Sequence, residues 1–402
     1  MYKIVKKIYK KFRKPLGKLY RFGTLKIIYP MTYRIKSRKK INPNKVIFIE
    51  VRSEKLTDDF ELLYGKLKKK KQFEIHTHLL RMGFARKKDY IRLCMALVRD
   101  IADAKYVFIS DASDVLACLP LRSDTIVTQM WHACGAFKKF GMSTADLIFG
   151  DNRKSLKKYP YHKNYTHVTV SAKEIVWAYE EAMSLTEQPG VVKPIGVSRT
   201  DVFFDDAYLK KANEQVFRVV PQAKEKKIIL YAPTFRGRVA SAKTPDVLDL
   251  FYMQRMLGDS YIVLFKHHPF VKKRPEIPEE LKDFAVDVTD TLSIESLLCT
   301  SDVCISDYSS LVFEYSLFER PMIFFAYDLD EYYDWRGFYY DYKTFVPGPI
   351  LTDTEQIVDY IKKVEEAFDK SVVRKFRETY MGACDGHATE RIMKLVFGEA
   401  IE

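Results

Sequence analysis

Runs of apolar and β-branched residues alternate with amphipathic segments along most of the chain. Short apolar runs that alternate with helical periodicity are typical of parallel sheets covered by helices on both faces. The pattern therefore predicts an α/β protein. Predicted strands lie at 46–51, 73–78, 106–110, 125–130, 168–170, 191–197, 228–232, 261–266, 285–288, 303–305 and 322–326, and predicted helices at 89–104, 172–183, 247–256, 294–299, 354–368 and 387–397.

A polar stretch with a helical pattern at 205–226 separates the predicted strands into two groups. A chain of 402 residues is long enough for two domains of ordinary size. We therefore expect domains at 41–204 and 205–385 that face each other across a cleft, preceded by a segment at 1–40. Residues 386–402 are expected to form a C-terminal helix that could cross back to the first domain.

Positive charge is concentrated at the N-terminus. Residues 1–40 contain 15 Lys or Arg and no acidic residue, whereas the remaining 362 residues carry 52 basic and 53 acidic side chains. Apolar residues recur there at helical spacing, at Ile4, Ile8, Phe12, Leu16, Leu19 and Tyr20. A basic amphipathic segment suits an anionic bilayer surface. Nucleic acid is disfavoured because the rest of the chain is neutral, and a helix packed on the body is the other alternative.

The cysteines and the hydropathy profile bear on location. Six cysteines are scattered without C-x-x-C spacing, which favours reduced thiols over a disulfide framework or a zinc site. No apolar run approaches the ~18 residues of a membrane span, and no signal peptide is apparent. The sequence therefore predicts a protein on the cytoplasmic side of the membrane. It calls for no cofactor, and a homo-oligomer is compatible with it.

The first motif, at 131–141, follows a predicted strand and reads Trp-His-Ala-Cys-Gly-Ala-Phe-Lys-Lys-Phe-Gly. His132 lies where the strand becomes a loop, so its imidazole can remove a proton from a hydroxyl. Lys138 and Lys139 can hold a phosphorylated acceptor. The alternative is a structural histidine bonded to the backbone.

Two further motifs follow strands of the second group. In Tyr-Ala-Pro-Thr-Phe-Arg-Gly at 231–237, Arg236 can grip phosphate oxygens and Thr234 can donate a hydroxyl bond, unless the segment is a plain surface loop. In Lys-His-His-Pro at 266–269, His268 is the expected reacting partner. The adjacent His267 raises the idea of a metal site, but no third ligand is near in the sequence.

The fourth motif, at 301–315, places Ser309 and Ser310 at the predicted start of a helix, after Asp307. Free N–H groups at a helix start bind phosphate readily. The alternative is that one serine only caps the helix. Glu314 follows within the helix and can face a ribose or polyol hydroxyl.

Two weaker signals remain. The segment 196–201, which includes Arg199 and Asp201, ends a strand near the domain junction and can line the cleft. Asp328 and Asp330 resemble the acidic pair of metal-dependent glycosyltransferases, a pattern common by chance. There is no P-loop and no G-x-G-x-x-G. Hydroxyls, histidine and arginine would therefore hold the diphosphate of an activated donor.

These motifs, in this order, resemble the CDP-glycerol glycerophosphotransferase family of teichoic acid and capsule synthesis. The resemblance rests on Trp131-His132 with Gly135, the Tyr-Ala-Pro-Thr of 231–234, His268-Pro269, and Asp-Tyr-Ser-Ser at 307–310 with Phe313-Glu314. It implies a GT-B fold, with an acceptor-side first domain and a donor-binding second domain. It also implies a CDP-polyol donor, an undecaprenyl-diphosphate-linked acceptor and peripheral attachment to the inner membrane face.

The variant motifs of this chain are similar to those of ribitol phosphate transferases. Members that transfer glycerol phosphate often have Trp-His-Gly followed by Thr-Pro-Leu-Lys, whereas this chain has Trp-His-Ala-Cys-Gly-Ala-Phe-Lys-Lys. We therefore expect transfer of ribitol phosphate from CDP-ribitol with release of CMP, and CDP-glycerol is the alternative donor. The rival functions are a sugar-nucleotide glycosyltransferase and a non-catalytic membrane-binding protein.

Overall fold

The computed structural model describes residues 17–148, 150–237 and 241–398, without the side chains of 333–336. Its described part contains two six-stranded sheets in which every pairing between strands is parallel. The strands are β1 Asn42–Glu50, β2 Glu74–Leu79, β3 Ala104–Ile109, β4 Ile126–Gln129, β5 His167–Thr169, β6 Val192–Lys193, β7 Lys227–Tyr231, β8 Tyr261–Phe265, β9 Ala285–Asp287, β10 Val303–Ser306, β11 Met322–Phe325 and β12 Ile350–Leu351.

The strand orders are β2-β1-β3-β4-β5-β6 in the first sheet and β12-β11-β10-β7-β8-β9 in the second. Strands β1, β3, β7, β8 and β10 have long buried runs, as expected where helices cover both faces of a sheet. Each predicted strand position carries a strand. The two-residue β12 was missed because it is too short to show a pattern.

Helices pack on both faces of the sheets. They are α1 Tyr29–Lys36, α2 Asp58–Lys68, α3 Lys87–Asp100, α4 Asp114–Cys118, α5 Arg153–Lys158, α6 Val176–Met183, α7 Asp206–Val219, α8 Leu250–Leu257, α9 Ile294–Thr300, α10 Leu311–Tyr315, α11 Leu329–Arg336, α12 Tyr342–Phe345, α13 Thr354–Lys362, α14 Val364–Ala367, α15 Lys370–Met381 and α16 Ala388–Phe397. The helix predicted at 354–368 is divided into α13 and α14. Six helices were not predicted: α2, α4, α5, α11, α12 and α15.

The described part of the basic segment is helical from residue 17 to residue 36, with a π-helical stretch at Gly23–Ile28. Leu25, Tyr29 and Tyr33 are buried in the core of the first sheet. This stretch therefore packs on the body with one face and exposes the other. Ile4, Ile8, Phe12 and Leu16, which belong to the predicted amphipathic pattern, lie outside the described residues.

The C-terminal helix α16 packs against the first sheet. Its Ile392, Val396 and Phe397 share a core with Phe48 and Phe108, which lie on β1 and β3. The carboxylate of Asp201 accepts the backbone N–H groups of Ala388 and Thr389 and so holds the start of the helix. Among the described helices, none is both long and apolar enough to cross a bilayer.

Candidate active site

His132 lies at the carboxyl edge of the first sheet, and its backbone is held in an unusual conformation. The preceding Trp131 has a φ of +57°, a region that bulky residues rarely occupy. The buried Gln129 accepts the N–H of Trp131 at 2.9 Å and donates to the carbonyl of Asp111 and the hydroxyl of Tyr165. These bonds stabilise a strained turn that presents the exposed His132.

The tautomer of His132 follows from its partner. Its Nδ1 lies 2.9 Å from the carbonyl oxygen of Ser110. A carbonyl oxygen only accepts, so Nδ1 carries the proton, and Nε2 of the neutral ring is a proton acceptor. This is the protonation state that a general base requires.

The loop that carries His132 crosses to the second sheet. Gly135 has a φ of +62° and lies so close to Phe313 that a Cβ at this position would be 2.3 Å from its ring. Phe137 packs among aromatic residues of the second core, including Phe313, Phe338 and Phe345. The loop that follows His132 therefore packs against Phe313 on α10, the helix that begins directly after Ser309 and Ser310.

The backbones of Lys138 and Lys139 form hydrogen bonds and a bridge to residues of the second half of the chain. Lys138 forms an antiparallel bridge with Phe338, and the N–H of Lys139 donates to the carbonyl of Gly337 at 3.1 Å. Both lysines are half-buried. The structure therefore places them where the two halves of the chain meet, next to the loop of His132.

Arg236 is committed to protein carboxylates. Its Nε and Nη2 donate to the two oxygens of Asp328 at 2.5 and 2.9 Å. Its Nη1 donates to the carbonyl of Thr234 and is 2.9 Å from Oδ2 of Asp307. This arrangement differs from the predicted direct grip on phosphate, because three of the five N–H groups of Arg236 already donate to protein oxygens.

The side-chain carboxylate of Asp307 accepts a hydrogen bond from the backbone of Thr234. Oδ1 of Asp307 accepts the N–H groups of Thr234 and Tyr308 at 2.8 and 2.6 Å, so this buried carboxylate holds the two strand ends together. The hydroxyl of Thr234 is buried and has no hydrogen-bond partner. Because such orphaned groups are costly, the Thr234 hydroxyl is a candidate ligand contact.

Ser309 and Ser310 occupy the turn before α10. Ser310 is at the N-cap position but makes no capping bond, and Ser309 Oγ accepts the N–H of Leu311 at 3.4 Å. The serines are therefore not explained by capping alone. Helix α10 has only five residues, so the expected helix-dipole contribution is small. The hydroxyls remain the main candidates for binding here.

The two adjacent histidines after β8 have different environments. His267 is buried, with Nδ1 2.9 Å from the hydroxyl of Thr244 and Nε2 4.0 Å from Asp287, and burial lowers its pKa. In His268, Nδ1 accepts the N–H of Phe270 at 3.1 Å, so the proton of the neutral ring is on Nε2. His268 also packs against Phe235, next to Thr234. The Nε2–H group of His268 is therefore a hydrogen-bond donor at the end of β8, close to the end of β7.

A buried ion network joins the two halves next to this site. Arg199 Nη2 is 2.8 Å from Glu314 on α10, and its Nη1 is 3.5 Å from Asp59 on α2. Burial raises the pKa of Glu314 to about 7, against the opposing effect of Arg199. Burial also raises the pKa of Asp59, while Arg199 and His132 oppose this rise. Glu314 therefore faces Arg199 rather than a polyol hydroxyl.

Several of these roles were missed from the sequence. Asp328 was read only as half of an acidic pair, yet it anchors Arg236 and accepts the hydroxyl of Tyr308 at 2.9 Å. Asp59 and Gln129 gave no signal, because one lies in an unpredicted helix and the other inside a strand. Polar residues within apolar strands, such as Gln129, are the pattern that could have indicated a positioning role.

Comparisons with known proteins identify the family of the chain. The family described as CDP-glycerol:poly(glycerophosphate) glycerophosphotransferase matches residues 31–398. The teichoic acid poly(ribitol-phosphate) polymerase of Bacillus spizizenii is 36% identical over 93% of this chain and 60% of its own length. The teichoic acid ribitol-phosphate primase of the same organism is 35% identical over 89% of this chain and 91% of its own length.

Solved structures show a similar fold. The wall teichoic acid polymerase TagF has a TM-score of 0.75 at 20% identity, over 96% of this chain and 97% of that chain. Among the two sequence relatives described above, this chain spans less than two thirds of the ribitol-phosphate polymerase but about nine tenths of the primase. On the extent of the family match and of these relatives, the chain belongs to the CDP-glycerol:poly(glycerophosphate) glycerophosphotransferase family.

Proposed function

We propose that the protein is a CDP-polyol phosphotransferase of teichoic acid or capsule synthesis. It would transfer ribitol phosphate from CDP-ribitol to a hydroxyl of an undecaprenyl-diphosphate-linked acceptor, and CDP-glycerol is the alternative donor. The observation that carries the proposal is the hydrogen bonding of two histidines, which favours opposite tautomers. His132 presents an accepting nitrogen from the first sheet, and His268 presents a donating one from the second.

The donor lies against the second sheet in this proposal. Its diphosphate is held by the hydroxyls of Ser309 and Ser310, by the orphaned hydroxyl of Thr234 and by Nε2–H of His268. Arg236 and Asp307 position these groups through their bonds to the two strand ends. The contacts are hydrogen-bond donors aimed at phosphate oxygens, where charge is redistributed during transfer.

The chemistry follows from this arrangement. His132 Nε2 takes the proton of the acceptor hydroxyl, and the oxygen attacks the phosphorus that bears the polyol. The bond from that phosphorus to the bridging oxygen breaks, and CMP leaves with the electron pair. Lys138 and Lys139 lie on the acceptor side of the same loop. A GT-B arrangement, in which domains 41–204 and 205–385 enclose the two substrates, fits the family fold.

We also propose peripheral attachment to the cytoplasmic face of the membrane. Leu19, Ile27, Met31 and Ile35 recur at multiples of four residues, and about half or more of each side chain is exposed. Eight lysines and arginines and no acidic residues occur in 17–40. An apolar stripe flanked by positive charge fits an anionic bilayer. Sedimentation with anionic vesicles should fall in the variant Ile27→Ser/Met31→Ser/Ile35→Ser, and unchanged sedimentation would contradict this.

One assay tests the activity. Purified full-length protein is given CDP-ribitol or CDP-glycerol with a short lipid-linked acceptor analogue, and CMP and product mass are measured. We expect CMP together with a mass increase of one ribitol phosphate. Release of UDP or GDP from a sugar nucleotide, with a glycosidic product, would support the rival glycosyltransferase. Vesicle binding without any turnover would support a non-catalytic protein.

The base assignment has its own test. His132→Ala should lower kcat by about 10²–10⁴-fold, because the proton-transfer step is lost. The exposed His387 lies at the start of α16 and outside the four site motifs, so His387→Ala supplies the control. Near wild-type turnover of a folded His132→Ala protein would refute the assignment.

A further inference from the structure

A groove of about 390 Å³ opens between the end of β2 and helix α3. Its lining includes Arg81, Arg86 and Arg92 together with Phe84 and Asp89. Three guanidinium groups thus meet one carboxylate in one concave surface. None of the residues used above for the donor or for proton transfer belongs to it.

The arginines are only partly neutralised. Arg86 Nε donates to Asp89 at 2.8 Å, and Arg92 Nη2 is 3.9 Å from the same carboxylate. The side chains of Arg86 and Arg92 are 90% and 80% exposed. Arg81, which has a φ of +56°, pairs with Glu54 at the groove wall. Two exposed guanidinium groups that share one aspartate leave net positive charge for a ligand.

The groove lies on the same sheet edge as His132. The N–H of Met82 donates to the carbonyl of Val51 at 2.8 Å, so the groove loop runs beside the end of β1. Arg52, which follows β1, pairs with Asp111, which follows β3, at 2.5 Å. His132 follows β4, the next strand in the sheet. Three strand spacings separate the ends of β2 and β4, about 14 Å.

The groove also adjoins the exposed N-terminal helix. Nζ of Lys87, the residue after Arg86, is 4.3 Å from the ring centroid of Tyr20. The groove therefore adjoins the start of the helix that carries the proposed membrane stripe, and it shares a sheet edge with His132. An acceptor that is anchored in the bilayer and places its hydroxyl at His132 would have this edge within its reach.

We propose that this groove binds phosphate groups of the acceptor chain, an inference that rests on the proposed function. Arginine suits phosphate because its planar guanidinium makes two parallel hydrogen bonds to it. Phe84, which is 66% exposed, offers an apolar surface to the carbon backbone of a polyol. The groove would increase affinity for acceptors that already carry polyol phosphate units, without contacting the donor.

The test is the double variant Arg86→Gln/Arg92→Gln in the full chain. Its KM for an acceptor analogue with several ribitol phosphate units should rise about tenfold, with kcat and the KM for CDP-ribitol within about twofold of wild type. The difference should shrink for an analogue with no such unit and in high salt. Lys210→Gln/Lys211→Gln removes the same charge from exposed positions on α7 and should change neither constant.

Two outcomes would overturn the groove proposal, and a third would overturn the proposed function instead. An unchanged acceptor KM in a folded double variant refutes the groove as an acceptor site. If the double variant binds anionic vesicles that contain no acceptor more weakly than wild type does, the groove is assigned to lipid headgroups instead. If wild-type protein turns over no CDP-polyol, the proposed function fails. Fluorescence polarisation with a labelled poly(ribitol phosphate) chain then still decides whether wild type binds it more tightly than the variant.

Discussion

Arg199→Met should cause a large loss of stability. Arg199 is the cation of a buried network in which Glu314 is 2.8 Å away and Asp59 is 3.5 Å away. Burial opposes its charge, but Glu314 and Asp59 together raise its pKa. Methionine keeps much of the volume and leaves buried carboxylates without a cation. Removing one partner of a buried ion pair costs about 3–5 kcal/mol, so the free energy of unfolding should fall by that amount at pH 8.

The loss should depend on pH, and its sign follows from raised pKa values. Glu314 has its pKa raised by burial from 4.5 to about 7. A carboxyl with a raised pKa in the folded state stabilises the fold below its unfolded pKa, and this stability is lost as pH rises through about 7. Without Arg199 the pKa values of Glu314 and Asp59 rise further. The variant should therefore be closest to wild type near pH 5 and weakest at pH 8.

Urea denaturation at pH 5 and pH 8, followed by circular dichroism, measures both effects. Arg374→Met is the matched control, because Arg374 is half exposed and pairs with Glu319 at the surface. It should change stability little at either pH. A loss below about 1 kcal/mol for Arg199→Met at pH 8, or a loss that does not grow with pH, would refute the reasoning.

Two further predictions concern the site. Thr234→Val removes an unpartnered buried hydroxyl, so unliganded stability should stay equal or rise by about 1 kcal/mol, while the KM for CDP-ribitol rises about fivefold. Thr128→Val removes another such hydroxyl within β4 and should leave that KM unchanged. Gly135→Ala combines a φ of +62° with a clash against Phe313 and should cost about 2–4 kcal/mol in urea denaturation. Gly83→Ala, where no atom lies within 4 Å, should cost less; equal losses would contradict the clash.

Strand positions followed from the sequence because buried parallel strands read as continuous apolar runs. Each predicted strand forms, and the residues after them lie at the expected strand ends. The helix α2 escaped prediction because its apolar positions Phe60, Leu63 and Leu67 are diluted by charged residues. Elements as short as β12 carry no period at all.

The roles of charged residues were harder to predict. Sequence chemistry indicated that Arg236 and Glu314 could bind substrate, but each is held by an oppositely charged residue distant in the chain, Asp328 and Arg199. A buried charge is stable only with such a partner, and its identity depends on tertiary packing. The hydroxyl and imidazole candidates, which can stay neutral, remain compatible with the predicted roles.

The loop from Trp131 to Lys139 packs into the cores of both halves of the molecule. Trp131 packs in the first core and Phe137 in the second, while the backbone bridges to Phe338 just beyond. Moving Phe137 out of its aromatic surroundings would cost about 2–3 kcal/mol, so we expect this loop to keep the two halves joined. His132 lies near the start of the loop. A motion that separates the outer parts of the two halves would therefore displace His132 less than residues far from the loop.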